Sequence, residues 1–134
     1  MLSKRGIDKL EKIMLANAKR YDQDVFADVA ECGTMMCAAG FCRLMAVGNE
    51  QFTKEVVCHT KRFSKRFTSR CIADGRRILG LKTRNMLPVL FDYPSRWPND
   101  LHDRFTALKT PTARVRFYIK MLRTRVNDDG SIRE

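Results

Sequence analysis

Between Met35 and Val47 the only charged side chain is Arg43. A helix that is apolar nearly all round has no face to give to water, so it must lie at the centre with other elements packed about it. This predicts an all-α fold: a compact single-domain helical bundle around a buried central helix at about residues 34–47. Cys37, Ala38, Ala39, Gly40, Cys42 and Ala46 are small enough to let neighbouring backbones approach, while Phe41, Leu44 and Met45 supply bulk. A large residue at Gly40 would overpack that approach. Thr34, with Cys32 as the alternative, is the expected cap, and Gly48-Asn49 ends the element.

The remaining chain reads as helix after helix. Ser3 is a cap for a first helix in which Ile7, Leu10, Ile13, Met14 and Tyr21 recur at helical spacing, with Lys9, Glu11, Lys12 and Lys19 outside. Residues 50–58 fit either a helical turn or a loop. A long helix is expected from about His59 to Leu79, stopped by Gly80. On it Phe63, Phe67, Cys71 and Ile78 fall within an arc of about 80°, opposite the basic side chains. The two phenylalanines are therefore expected in the core, not as base-stacking platforms.

A short helix follows at Asn85–Phe91, then a proline-bounded loop at 92–98 in which Trp97 plugs the domain edge. Asn99 or Asp100 caps a turn through Phe105. Thr110-Pro111 pairs a capping hydroxyl with proline at the first helical position. The last helix should reach about Val126, burying Val115, Tyr118, Ile119, Leu122 and Val126. Its outside then carries Arg114, Arg116, Lys120, Arg123 and Arg125, with Phe117 among them. The domain spans residues 1–126, and 127–134 read as a frayed tail.

A chain of 134 residues with 44% apolar content can close one core and is too short for two ordinary domains. It has no run of roughly 18 apolar residues for a membrane span and no signal-peptide apolar region. A soluble, cytoplasmic protein with reduced thiols is expected, since five cysteines is an odd number and three fall in the central segment.

Four elements occur in a recognisable order: Cys32-Gly33-Thr34-Met35-Met36-Cys37-Ala38-Ala39-Gly40-Phe41, then Ile78-Leu79-Gly80-Leu81, then Leu90-Phe91, then Trp97-Pro98. Together they resemble a group of small uncharacterised bacterial and phage proteins with the pattern C-G-T-x-x-C-x-A-G-W followed by L-G-L, L-F and W-P. Phe41 stands where the group usually has Trp. The resemblance implies a small helical domain of phage or bacterial origin and implies no activity; strong basicity is not part of the pattern.

No metal, cofactor or catalytic residue is expected. Cys32, Cys37 and Cys42 are five residues apart, which advances a helix by about 500° and turns the thiols in diverging directions. Structural zinc sites use closer pairs. Cys58-His59 beside Lys61 and Arg62 is the one nucleophile candidate, and adjacency in sequence does not aim the two side chains at each other. The glycines are scattered, with no phosphate loop, so the protein is read as a binding protein and not an enzyme.

Charge points to the partner. Residues 1–60 balance eight Lys and Arg against eight Asp and Glu, whereas 61–134 carry eighteen against seven, so the formal +11 lies beyond position 60. Segregated charge makes a local field. The expected nucleic-acid-binding set is Lys61, Arg62, Lys65, Arg66, Arg70, Arg76 and Arg77 on one helix, with Arg114, Arg116, Lys120 and Arg123 on the last. The partner would be the phosphate backbone of DNA or RNA, without sequence specificity. The alternative is an adaptor or inhibitor that docks on an acidic host protein, with Phe117, Tyr93 or Trp97 as interface aromatics.

Overall fold

A computed structural model of the chain describes residues 2–23, 28–30, 33–61, 65–82, 91 and 93–134. Helix α1, Lys4–Ala16, begins at the expected cap, where Ser3 Oγ accepts from Gly6 N at 3.0 Å. Ile7, Leu10 and Met14 form its buried stripe. The helix stops short of Tyr21, which is buried after a 3-10 turn at Ala18–Arg20.

Strands β1, Asp28–Ala30, and β2, Gly33–Met35, form an antiparallel ribbon with Val29 opposite Thr34. The central helix α2 is therefore shorter than expected, Ala38–Val47, and its N-cap is Cys37 without a side-chain capping bond. Thr34 lies in β2, so it does not cap. One orphan donor at this helix start, Ala38 N, is met from elsewhere in the chain. Gln23, 4% exposed, has its Oε1 2.9 Å from the Tyr21 hydroxyl that donates to it and 3.5 Å from Ala38 N. Within α2, Ala38 to Cys42 and Leu44 are all buried, as an all-round apolar helix requires.

The stretch that read as helix or loop is a full helix, α3, Asn49–Lys61. The single long helix expected from His59 is replaced by the end of α3 and by α4, Lys65–Leu79. On α4, Phe67, Cys71, Gly75 and Leu79 are buried at fourfold spacing and Ile78 is partly buried, which sets the core face as the periodicity placed it. Gly80 at φ +70° closes α4 in a Schellman turn, with Leu81 N donating to Arg76 O.

After Phe91 and a 3-10 turn at Pro94–Arg96 come α5, Asn99–Ala107, and α6, Pro111–Thr124. The expected Asn85–Phe91 helix lies, apart from Phe91, outside the described residues. The cap of α5 is Pro98, one residue before Asn99. Thr110 caps α6 through Ala113 N at 3.1 Å, with Pro111 at its first position. Beyond α6 the chain turns back: Val126 bridges Ile132, and Arg133 bonds to Asn127 and to the end of α6. Residues 127–134 are thus tied down and not frayed.

The helices assemble as the apolar segment demands. α2 packs against α1, α3 and α4; α1 also packs against α4 and α6; and α6 covers the turn at Ala18–Arg20. Trp97 is 3% exposed and joins Tyr21, Phe105 and Tyr118 in an aromatic cluster, its ring 5.0 Å from Phe105 and 5.9 Å from Tyr118. It fills the core instead of edging it. The lone charge of α2 is also accounted for. Arg43 Nη2 lies 2.9 Å from Glu55 of α3 and Nη1 3.0 Å from Asp74 of α4, so one guanidinium pins three helices. Among the described residues no helix is long and apolar enough to cross a membrane.

Candidate nucleic-acid interface

The core stripe of α4 leaves its cationic residues on the opposite side. Lys65, Arg66, Arg70 and Arg77 are exposed. Arg70 lies 3.9 Å from Glu55 and Arg77 3.5 Å from Asp74, yet their side chains keep 48% and 65% exposure. Ion pairs this open contribute little and break readily for a stronger partner. Arg76 differs: it is half-buried, with Nε and Nη2 meeting no acceptor among the described residues. It is not part of the open stripe. Lys61 ends α3, not the helix that bears the stripe, and Arg62 lies outside the described residues.

On α6 the expected set divides. Arg116 and Lys120 are exposed. Arg123 is held by two carboxylates of α1, Asp8 and Glu11, each at 3.0 Å. Arg114 folds inward, donating to Leu108 O at 3.1 Å and lying 5.4 Å from the Phe105 ring centroid. A long cationic side chain can bury its stem in this way. Among the described residues, α1 packs against both α4 and α6 and contributes its acids to the α6 side.

The same helix supplies cations that half-chain counting hides. Lys4, Arg5, Lys9 and Lys12 of α1 are all exposed. The balance of eight against eight over residues 1–60 includes Glu55 as well as Glu31 and Asp24, which are remote from α1 in sequence. The readable signal was the composition of α1 alone. Arg104 of α5, exposed with its Cζ 5.3 Å from the Phe117 ring, was likewise missed.

Of the aromatic candidates, Tyr93 is 51% exposed and Trp97 is buried. Phe117 is half-buried, its ring 5.9 Å from Phe105 in an edge-on contact. Phe67 is 4% exposed and packs on Phe52 and His59, so it anchors the core; Phe63 lies outside the described residues.

The thiols are set for packing. Burial pushes the Cys37 thiol up to about 11 and raises Cys42 and Cys71 further in the same direction. These groups stay neutral near pH 7, and a neutral thiol is neither nucleophile nor ligand. Cys58 is exposed, and its neighbour His59 stacks on Phe67 at 4.8 Å. Among the described residues no three His, Cys, Asp or Glu side chains come close enough to hold a metal ion. Cys32 lies outside them.

Compared with protein-family models, with curated proteins and with solved structures, the chain matches none.

Proposed function

We propose that the protein is a small nucleic-acid-binding protein that holds the phosphate backbone without reading sequence. The observation that carries this reading is the set of exposed cations without a carboxylate in ion-pairing range among the described residues: Lys65 and Arg66 on α4, Arg116 and Lys120 on α6. A formal net charge of +11 adds the long-range attraction that speeds encounter with a polyanion. The exposed Lys4, Arg5, Lys9 and Lys12 of α1 add further cations, and Arg70 and Arg77 become available when phosphate replaces their carboxylate partners. Contacts to phosphate fix position without reading sequence, so backbone contact is the mode this reading assigns. The motif resemblance adds a phage or bacterial origin to the reading, and the buried reduced thiols suit a cytoplasmic setting.

The test is fluorescence anisotropy against random-sequence DNA and RNA over a salt series. Neutralising about six phosphates on duplex DNA gives a slope of roughly −5 in log affinity against log salt. The variant Lys65→Glu/Arg66→Glu should flatten that slope by about 2, one for each phosphate left without its cation, with little change in thermal stability. Absence of any nucleic-acid binding at low salt, with retention of an acidic protein partner instead, would replace this reading with the adaptor.

A further inference from the structure

Between α5 and α6 lies a groove of about 170 Å³ lined by Leu101, Arg104, Phe117, Lys120, Met121 and Arg125. It is smaller than the roughly 300–1,000 Å³ of pockets that enclose a whole small molecule, so it can seat one ring system with the rest of the ligand outside. Its character is mixed in a specific way. Leu101 and Met121 are buried and give an apolar base. Above Phe117 the exposed Arg104 guanidinium lies 5.3 Å from the ring centroid. Lys120 is exposed at the rim. Arg125 binds Asp100 through Nη1 at 3.1 Å, and its Nη2 meets no acceptor among the described residues.

A groove with an apolar base, a guanidinium 5.3 Å from an aromatic ring and an exposed ammonium at its rim is complementary to a flat ring attached to an anion. We infer that the α5–α6 groove takes one unstacked base of a single-stranded nucleic acid. The base lies on Arg104, whose planar guanidinium is backed by Phe117, and Lys120 meets the adjoining phosphate. Guanidinium planes and aromatic rings are the platforms on which splayed bases stack, and such stacking tolerates any base. Paired bases inside a duplex are not offered to a surface groove without being flipped out. The inference rests on the backbone-binding reading above and sharpens it: the preferred ligand is single-stranded, and the preference resides in α5 and α6, not in the α4 stripe.

The experiment compares a 20-nucleotide oligo-dT with a 20-base-pair duplex by anisotropy, for the native protein and for Arg104→Lys and Phe117→Leu. Arg104→Lys keeps the charge and removes the plane at an exposed site; Phe117→Leu keeps apolar volume against Phe105. Removing the platform under one stacked base corresponds to about 5- to 150-fold weaker binding. Each variant should weaken oligo-dT binding by at least about 5-fold while duplex binding stays within about 2-fold. Ultraviolet cross-linking to oligo-dT with peptide mapping should place the adduct on the α5 or α6 peptides that line the groove. Equal weakening on both ligands, no weakening on either, or adducts confined to other helices would overturn the groove and leave backbone binding standing. Failure of the native protein to bind either ligand would overturn both.

Discussion

Replacing Gly6 by alanine tests the packing of the bundle where α1 meets the end of α4. In an isolated helix the change is favourable by about 1 kcal/mol, because glycine loses more backbone freedom on folding. Here a Cβ at Gly6 would stand 1.8 Å from Ile78 O and 2.8 Å from Ile78 C. A comfortable carbon-to-oxygen approach is about 3.3 Å, so α1 and α4 would have to part by about 1.5 Å locally. Both atoms belong to backbone, and no rotamer can relieve the clash. Separation also stretches the Ser3 N to Leu79 O bond, now 2.8 Å, and opens a gap beside the buried Ile7 and Leu79. Overpacking costs about 1–3 kcal/mol and a broken hydrogen bond about 1 more; after the propensity gain of about 1, a net loss of about 1–3 kcal/mol remains. At roughly 3–5 °C per kcal/mol for a chain of this size, the melting temperature should drop on the order of 10 °C. Calorimetry or a circular-dichroism melt measures this directly. An unchanged or raised melting temperature for Gly6→Ala would show that α1 and α4 do not cross at Gly6.

Arg43→Met should destabilise by about 2–4 kcal/mol in urea unfolding, since it leaves Glu55 and Asp74, whose side chains are only 11% and 15% exposed, with just the longer pairs to Arg70 and Arg77. Burial works against the charged guanidinium, but its bonds to Asp74 and Glu55 hold the Arg43 pKa above its ordinary value. Adding Glu55→Gln and Asp74→Asn should therefore recover part of the loss, and a further loss instead would contradict the clamp. The buried thiols make stability fall at alkaline pH. Their folded pKa values are raised, so the unfolded chain releases protons first, above about pH 8.5, and each thiol then removes about 1.4 kcal/mol per pH unit until its folded pKa is reached. Urea midpoints at pH 8, 9 and 10 should decline, and Cys37→Ala/Cys42→Ala/Cys71→Ala should lose most of that slope. Iodoacetamide labelling with peptide mapping should modify Cys58 in the native state and spare Cys37, Cys42 and Cys71 until denaturant is added; early modification of Cys42 would show the core to be open.

The fold class was legible because hydrophobic pattern alone decides it: α2 had no polar face, and Phe67 and Cys71 lay on one side of α4. Caps formed as expected where a hydroxyl sat directly before the helix, at Ser3 and Thr110. Thr34 misled because a threonine is equally at home in a strand, and the group that meets the start of α2 is Gln23, fifteen residues from Ala38. No local pattern announces a long-range cap. The candidate site was legible as to which residues are basic and illegible as to which are free. Arg123 and Arg116 look alike in sequence; only the docking of α1 assigns carboxylates to the first and none to the second. Arg104 and Phe117 are thirteen positions apart on different helices, so their stack needed the α5–α6 turn before it could be seen.

The bonds from Arg123 to Asp8 and Glu11 span 115 and 112 positions of sequence. During synthesis, at about 5–20 residues per second, the first helix must wait several seconds for the last one to emerge. Until then the face of α1 that packs on α6 is uncovered, and the nascent chain carries an oily flank that a chaperone can hold. Closure of α1 against α6 can therefore come only after both helices have been made.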